Sequence, residues 1–389
     1  MSEWKECTIG ELCSNICSGG TPNRSNDSFY NNGNIPWLNT KEVSFNRIYQ
    51  TENFITELGL KNSAAKWIPQ NTVVVAMYGA TAGKSAIVKI PVTTNQACCN
   101  LTIDGSKADY RFVYYSLFNR YEHLASLANG GAQQNLNAGL IREFKISVPE
   151  LETQTKIADI LSSLDDKIEL NNQINRNLEE QIQTLFLEIF SNDPSEPLGT
   201  VVETTSGGTP NRKNEEFYEN GSVCWVKSKE LQGSFITDTE EKITKEALVK
   251  SAAKIIPANS VMIAMYGATV GEYGIISKEM ACNQAVCALL ENEKYPYTYL
   301  FMLVKTRKQD LINMAVGSAQ QNISQVIIKE MLVHSDLDKI QKFHKCVAPL
   351  FQEMKQNKEE SVLLKDLLNY LLPKLMSNEI NVDLAMSSR

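Results

Sequence analysis

Two long stretches of the chain place mostly apolar residues at alternating spacings of three and four. The first runs from Gln154 to Ile189 and the second from Ile340 to Leu375. A stripe sustained over so many turns is typical of a coiled-coil seam. The two stripes keep one register when they are aligned with a shift of 186 positions. The pattern therefore predicts two long helices that pair with each other.

Polar residues interrupt both stripes near their middle. Asn171 and Asn175 align with Asn357 and Ser361 under the same shift. If the helices pair antiparallel about a pseudo-twofold axis, these residues meet at the centre, where a buried polar layer commonly fixes register. The alternative is that all four are surface positions. Pro349 predicts a kink or a late start in the second helix, because proline lacks the backbone N–H.

The other segments mix strand and helix signals. Residues 72–77 (TVVVAM) are typical of a buried strand, and the glycines after them predict a turn into a second strand near 85–88. Residues 109–127 predict a helix with one apolar face, formed by Tyr110, Val113, Leu117, Tyr121 and Leu124. These signals indicate a globular α+β domain.

The chain contains this domain twice. SGGTPNR begins at Ser18 and again at Ser206, and the same shift of 188 relates Trp37 to Trp225. The period is too long for a solenoid repeat. We predict two similar domains at 1–149 and 192–334, a central spacer helix at 150–191, a C-terminal spacer helix at 335–379 and a tail at 380–389.

A glycine turn in each copy resembles a phosphate-binding loop. The first copy, MYGATAGKS, has only three residues between its glycines, whereas a Walker A loop needs four. The second copy, MYGATVGEY, replaces Lys84 with Glu272 and Ser85 with Tyr273. A nucleotide loop does not retain its function after losing both its cation and its metal-binding hydroxyl. The copies therefore share a backbone shape rather than a nucleotide site.

Composition and charge narrow the class of protein. The formal net charge is −7, with most of the excess acid on the first long helix, which leaves the globular parts nearly balanced in charge. Nine cysteines show no zinc-ligand spacing, and we expect them to be buried free thiols. Without a signal peptide or an apolar run of membrane length, we expect a reduced cytoplasmic protein.

The sequence shows no catalytic constellation. Only three histidines occur, and none aligns between the two copies, so a histidine mechanism in both is not expected. Asp165 and Asp166 are adjacent on the first long helix, and we interpret them as part of a solvated face. Trp37 and Trp225 are expected to be core residues, and no metal site is predicted.

The features that recur are polar, glycine-bounded and aromatic. Asparagine, glutamine and arginine make bidentate contacts to base edges, while threonine and lysine contact phosphates. The alternative is that the amides satisfy turns and cap elements. We select as DNA-binding candidates Thr21, Asn23, Arg24, Lys41, Tyr78, Thr81, Lys84, Gln133, Gln134 and Asn135, with Thr209, Asn211, Arg212, Lys227, Lys229, Tyr266, Thr269, Gln320, Gln321 and Asn322 in the second copy.

The order of these motifs, given twice, resembles the specificity subunit of type I restriction-modification systems. The resemblance rests on SGGTPNR, IPWLN, MYGATAGKS, NQACC, GGAQQNLN and the helical stretch IREFKISVPELETQTKIADILSSLDDKIELN, followed by the whole series again. It covers nearly the full chain.

The resemblance implies a division of labour. Each domain would be a target recognition domain that reads one half of an interrupted target in double-stranded DNA, and the paired helices would set the spacing. The subunit would be non-catalytic and hold no cofactor of its own. It would bind two methyltransferase subunits, which use S-adenosylmethionine, and restriction/translocase subunits would join them.

Other readings stay open at this point. The chain could be the specificity polypeptide of a related combined restriction-modification enzyme, or a stand-alone DNA-binding regulator. The shared loops suggest the hypothesis that the two half-sites are related. If they are not, we expect the discrimination to reside in 44–62 against 232–250, in 85–94 against 273–282, and in the helix before AQQN.

Overall fold

The computed structural model describes residues 4–129, 135–191, 194–315, 322–380 and Val382. The chain divides into two units by its internal contacts. The first unit comprises Met1–Lys167 and Leu364–Arg389, and the second comprises Ile168–Leu363. Two long helices, Leu151–Ile189 and Leu337–Met376, contribute residues to both units.

The globular part of the first unit contains eleven strands among its described residues. They are Lys5–Thr8, Cys13–Ser18, Ile35–Leu38, Asn46–Ile48, Phe54–Ile55, Trp67–Ile68, Val73–Ala76, Ser85–Val88, Val92–Thr94, Cys98–Ile103 and Lys145–Val148. Its α-helices are Ile9–Leu12, Glu57–Lys61, Tyr110–Asn119, Tyr121–Ser126 and Ala138–Glu143, and its 3-10 turns are Asp27–Phe29, Thr40–Glu42, Gly79–Thr81 and Leu127–Asn129.

These strands form three sheets. In the five-stranded sheet, Cys98–Ile103 and Val73–Ala76 are the central neighbours, and the order from edge to edge is Cys13–Ser18, Cys98–Ile103, Val73–Ala76, Ser85–Val88, Asn46–Ile48. The four-stranded sheet has the order Phe54–Ile55, Ile35–Leu38, Val92–Thr94, Trp67–Ile68. A third pair joins Lys5–Thr8 antiparallel to Lys145–Val148.

The second unit repeats this topology strand for strand. Its five-stranded sheet has the order Thr204–Ser206, Val286–Leu289, Val261–Ala264, Tyr273–Ile276, Phe235–Ile236, its four-stranded sheet Lys242–Ile243, Val223–Val226, Met280–Cys282, Ile255–Ile256, and its strand pair Glu196–Pro197 with Leu332–Val333. Its other elements are the helices Leu198–Val201, Lys245–Lys250, Tyr297–Asn313 and Gln325–Glu330 and the 3-10 turns Glu215–Phe217, Ser228–Glu230 and Gly267–Thr269. The predicted duplication and the α+β class are confirmed.

The predicted strands at 72–77 and 85–88 are observed as Val73–Ala76 and Ser85–Val88, and both are fully buried. The predicted helix at 109–127 is only partly right. It breaks at Arg120 into two helices, and its middle residues are buried on every side because it lies between the five-stranded sheet and other core elements. Trp37 and Trp225 are core residues, with 2% and 1% of their surface exposed.

In the first unit, polar contacts to the first long helix accompany the apolar core that the globular part shares with both long helices. The Tyr115 hydroxyl donates to an Asp165 carboxylate oxygen over 2.5 Å, and Arg47 forms an ion pair with Asp166. The interpretation as a solvated face was therefore wrong for Asp165, which is half-buried, whereas the side chain of Asp166 is exposed as expected. Its cause is separation in sequence, because the partners are too far along the chain for any local pattern to reveal.

The polar layer predicted between the helices is present in the second unit. The Asn171 amide donates to Ser361 Oγ and to the Asn357 carbonyl, each over 3.3 Å, and Asn357 donates to Asn175 Oδ1 over 2.9 Å. Asn171 also donates to Glu360 over 2.7 Å and is fully buried. The pairing of 171 with 361 and of 175 with 357 shows that the helices run antiparallel there.

Pro349 does not delay the second long helix, which begins at Leu337 and continues without interruption to Met376. The prediction of a late start was wrong. Pro349 lies on the exposed side of the helix, so water can hydrate the carbonyl that loses its partner.

The cysteines are free, as expected, but not all are buried. Five are buried, Cys7, Cys13 and Cys17 are half-buried, and Cys346 is exposed, because it faces away from the helix seam. No helix in the described part of the chain is long and apolar enough to cross a membrane.

Candidate nucleic-acid interface

The first loop of the candidate surface carries the SGGTPNR motif and begins where its backbone passes close to another strand. The Gly20 N–H donates to the Thr94 carbonyl over 2.9 Å, and Gly208 donates to the Cys282 carbonyl over 3.0 Å. A side chain on the preceding glycine, Gly19, would overlap the Thr94 carbonyl. Glycine is therefore required there by space, and the SGG motif is explained by packing in both units.

Core aromatic residues fix the course of this loop. The Trp37 indole N–H donates to the Gly20 carbonyl over 3.0 Å, and Trp225 donates to Gly208 over 3.1 Å. The Tyr30 hydroxyl donates to the Pro22 carbonyl over 2.6 Å, as Tyr218 does to Pro210. The exposed residues that follow the proline are consequently held on a rigid base in each unit.

A threonine and a glutamine meet at the edge of the loop. Thr21 Oγ1 donates to Gln96 Oε1, and Thr209 Oγ1 donates to Gln284 Oε1. Both glutamines are exposed, and neither amide nitrogen has a hydrogen bond within the described residues. Each glutamine can therefore still donate to a ligand while its carbonyl is held by the threonine.

Gln96 and Gln284 were not among the predicted site residues. The signal that could have found them is the repeated Asn-Gln dipeptide at 95–96 and 283–284. Asn95 also links the neighbouring loop, because its amide donates to Asn39 Oδ1 over 3.2 Å and its N–H donates to Leu38.

The second loop, which we call the lysine loop, covers residues 39–52 in the first unit and 227–240 in the second. It carries the predicted lysines on a turn that a glutamate holds in place. Glu42 accepts from the N–H groups of Asn39 and Glu52 over 3.0 and 2.9 Å. Glu230 accepts in the same way from Lys227 and Glu240, over 2.7 and 2.9 Å. A half-buried carboxylate that receives two N–H groups holds the loop in one conformation.

The lysines on this loop are paired with acids in both units. Lys41 forms an ion pair with Glu52 over 2.5 Å, and both side chains are largely exposed. Lys229 pairs with Glu240, and Lys227 lies 3.0 Å from Glu241. The Lys41 and Lys229 pairs are exposed and therefore weak, so DNA phosphates can compete for these two lysines.

The glycine turn lies against the lysine loop in the first unit. Gly79 and Gly83 have φ values of +76° and +84°, which explains the two glycines without any phosphate. Thr81 Oγ1 donates to the Thr40 carbonyl over 2.9 Å and so ties the turn to the lysine loop. The equivalent Thr269 donates instead to the Tyr266 carbonyl of its own turn, over 3.2 Å.

The predicted tyrosines project from this turn into solvent. Tyr78 is 39% exposed and Tyr266 is 42% exposed. Because the Leu136 N–H donates to the Met77 carbonyl over 3.1 Å, Asn135 is brought beside Tyr78. In the second unit, the backbones of Tyr266 and Asn322 pair through an isolated antiparallel β-bridge. Gln133, Gln134, Gln320 and Gln321 lie outside the described residues.

Two predicted asparagines serve turns. Asn23 Oδ1 accepts from the N–H and the hydroxyl of Ser25 over 3.1 and 2.9 Å, and Asn211 Oδ1 accepts from the Lys213 N–H over 3.1 Å. Both side chains are exposed, so their amide nitrogens still face solvent. The turn interpretation accounts for the oxygen of each side chain.

The end of the glycine turn differs in charge between the units. Lys84 lies 3.3 Å from Ser44 Oγ, whereas Glu272 forms an ion pair with Lys308 over 2.7 Å.

Elsewhere, burial raises the pKa of the Cys99, Cys282 and Cys287 thiols to about 12, so these are not nucleophiles at neutral pH. Among the described residues, no group of three or more histidine, cysteine, aspartate or glutamate side chains is arranged to hold a metal ion.

Two copies of one α+β fold, each presenting the same glycine-bounded polar and aromatic loops, define a protein with two related recognition surfaces. The family profile described as the type I restriction modification DNA specificity domain matches residues 1–180 and 195–342. The chain belongs to this family.

Relatives and one solved structure agree with this assignment. The chain is 26% identical to the MjaIX specificity subunit of Methanocaldococcus jannaschii, covering 98% of this chain and 97% of that one. It is 22% identical to the HindI specificity subunit of Haemophilus influenzae, over 98% and 100%. The fold matches the S subunit of a type I restriction-modification system from M. genitalium with a TM-score of 0.61 and 19% identity, over 96% of each chain.

The predicted role is confirmed at this level. The chain is the non-catalytic DNA sequence-recognition subunit of a type I restriction-modification system. Its partners are DNA and the methyltransferase of such a system.

Proposed function

We propose that each unit reads one half of an interrupted DNA target and that the long helices set the distance between the halves. The observation that carries this proposal is the construction of the same surface twice. In both units a threonine hydroxyl holds an exposed glutamine, an exposed tyrosine follows a buried strand, and a glutamate fixes a lysine loop. A protein that reads two half-sites needs one such surface for each of them.

The residue types at this surface suit duplex DNA. Glutamine and asparagine match the donor and acceptor pattern of adenine in the major groove, and lysine matches phosphate. The exposed pairs Lys41–Glu52 and Lys229–Glu240 can open toward phosphate at small cost. The predicted DNA-binding residues other than Arg212, which is treated separately below, are retained in this proposal, with Gln96 and Gln284 added.

The helices support a second part of the proposal. We assign to them the docking of two methyltransferase subunits, to which restriction/translocase subunits bind in turn. S-adenosylmethionine belongs to the methyltransferase, and this chain supplies no cofactor. A cytoplasmic location goes with this role, because the host DNA is there.

The experiment that tests the proposal is a methylome. The chain is co-expressed with the methyltransferase from its own locus, and modified adenines are mapped across the host DNA. We expect a bipartite motif with a fixed gap, absent from cells that express the methyltransferase alone. A continuous motif, or methylation that does not depend on this chain, would contradict the proposal.

A further inference from the structure

Both units carry an arginine at the same place in the same loop, but only one of the two is paired. The Arg212 guanidinium donates to both carboxylate oxygens of Glu241, over 3.1 and 2.9 Å. It also lies over the rings of Tyr218 and Trp225, at 4.7 and 5.0 Å from their centroids. Both terminal nitrogens of this arginine are therefore already engaged.

Arg24 is in a different state. It lies 5.8 Å from the centroid of the Trp37 ring, and it makes no hydrogen bond or ion pair within the described part of the chain. It is exposed, and the residue that matches Glu241 in the first unit is Asn53. An asparagine is neutral and too short to engage the arginine as the glutamate does.

The backbone at these two positions is the same. The Asn53 carbonyl accepts from the Trp37 N–H over 2.9 Å and from the Thr51 hydroxyl over 2.8 Å. The Glu241 carbonyl accepts likewise from Trp225 over 3.3 Å and from Thr239 over 2.6 Å. The side chains at 53 and 241 thus leave equivalent points, and their chemistry alone separates the two arginines.

Glu241 restrains a second cation as well. Lys227 lies 3.0 Å from it, at the position where the first unit has the neutral Asn39. The Arg212 hydrogen bonds, together with Lys227, lower the pKa of Glu241 to about 2, so the carboxylate is charged at neutral pH. One acid therefore neutralises two candidate DNA-binding residues of the second unit.

We propose that Arg24 contacts a DNA phosphate, whereas Arg212 is a positioning residue that Glu241 holds in place. An arginine whose fork is filled by a carboxylate must break that pair before it can bind a phosphate. A cation that is already neutralised also displaces few counterions from DNA. This inference rests on the proposed function, because it assumes that these loops face DNA.

The test uses the full chain in complex with its methyltransferase and a duplex carrying the methylated motif of the wild-type complex. Affinity is measured across a series of NaCl concentrations for the matched variants Arg24→Gln and Arg212→Gln. Glutamine removes the charge but keeps much of the side-chain length. For Arg24→Gln we expect a loss of about tenfold and a salt slope smaller by about 0.9. For Arg212→Gln we expect an unchanged slope.

A third variant gives the second unit the residue of the first. Glu241→Asn releases Arg212 and Lys227, so we expect the salt slope to increase by about 0.9 for each cation that gains a phosphate. In the double variant Glu241→Asn with Arg212→Gln, the part of the increase due to Arg212 disappears. If Arg212→Gln does not fold, the slope of Glu241→Asn alone decides, and an unchanged or smaller slope contradicts the proposal.

Equal reductions in slope for Arg24→Gln and Arg212→Gln would overturn the proposal and leave the proposed function intact. Failure of the proposed function gives a different result. In that case Gln96→Ala and Tyr78→Ala, together with Arg24→Gln, leave both DNA affinity and the methylated motif unchanged.

Discussion

The two units attach their globular parts to the long helices by different chemistry at matching positions. In the first unit, Arg47 pairs with Asp166 and Tyr115 donates to Asp165. In the second unit, the position of Arg47 is taken by Phe235 and the position of Asp165 by Phe351. A charged seam and an aromatic seam thus serve the same topology.

The aromatic seam is a compact cluster. The Phe351 ring lies 5.6 Å from both Tyr297 and Phe301 and 6.3 Å from Phe235, in edge-to-face geometry. Phe351 is fully buried. The duplicated fold therefore preserves its strand order while the side chains at these matching positions change in kind.

The largest expected effect is on the aromatic seam. Phe351→Ala removes a buried ring and should lower the free energy of unfolding of the second unit by about 3 to 5 kcal/mol. The matched change Asp165→Ala leaves the Tyr115 hydroxyl without its partner and should cost the first unit about 1 to 3 kcal/mol. Amide hydrogen exchange at Val261–Ala264 and Val73–Ala76 measures each unit separately.

The contrast between the two seams would be wrong if both variants lost equal protection in their own units. Burial and the neighbouring Asp165 carboxylate raise the pKa of Tyr115, so its hydroxyl stays protonated and able to donate at any pH used for exchange.

A second prediction compares the other matched pair under salt. Phe235→Ala should cost about 3 kcal/mol or more at any salt concentration, because the loss is apolar packing. Arg47→Ala should lower the free energy of unfolding by less than Phe235→Ala does. This loss should become smaller in about 1 M NaCl, because salt screens the ion pair between Arg47 and the exposed Asp166. Urea unfolding followed by unit-resolved exchange gives both costs, and a salt-independent cost for Arg47→Ala would remove charge from the account.

A third prediction concerns the glycine turn, which carries Lys84 in the first unit and Glu272 at the matching position of the second. Lys84→Ala should weaken DNA binding about tenfold and lower the salt slope by about 0.9. Glu272→Ala leaves Lys308 without its ion-pair partner, so binding should be unchanged or stronger. Affinity of the complex for its methylated motif across NaCl concentrations checks both, and equal losses would remove Lys84 from the contacts.

The smallest effect is expected from pH. The folded pKa of Glu241, about 2, is below its ordinary value of 4.5, so its charge stabilises the fold above pH 4.5 and this contribution is lost as pH falls toward 2. Glu241→Gln should therefore destabilise the second unit near neutral pH and not near pH 2. The pair is partly exposed, so the difference should be under about 1 kcal/mol.

Asn53→Gln is the matched control for this pH experiment, because a neutral side chain adds no titration to the first unit. A destabilisation by Glu241→Gln that is the same at pH 6 and at pH 2.5, measured by urea unfolding, would show that the Glu241 charge is not responsible.

The sequence predicted what is periodic or repeated. The helical stripe indicated Leu151–Ile189 and Leu337–Met376, and the shift of 186 located the polar layer at Asn171. The run TVVVAM indicated the central strand because a fully buried strand is apolar throughout. Composition, period and internal repetition are local properties, so they can be read without coordinates.

What the sequence missed depends on pairs distant along the chain. Asp165 was interpreted as solvated because its partner, Tyr115, is in another element, and Arg212 looked equivalent to Arg24 because the deciding residue, Glu241, is in another loop. Gln96 was overlooked because its threonine partner is equally remote. Contacts of this kind follow from sheet order, which no local pattern specifies.

The most direct test of the central claim exchanges a recognition segment between the units. Residues 44–62 are replaced by 232–250, the altered chain is co-expressed with its methyltransferase, and the methylome is mapped. If each unit reads one half-site, one half of the bipartite motif changes while the other half and the gap remain. Changes in both halves or in the gap, or an unchanged motif from a fully active complex, would contradict the account.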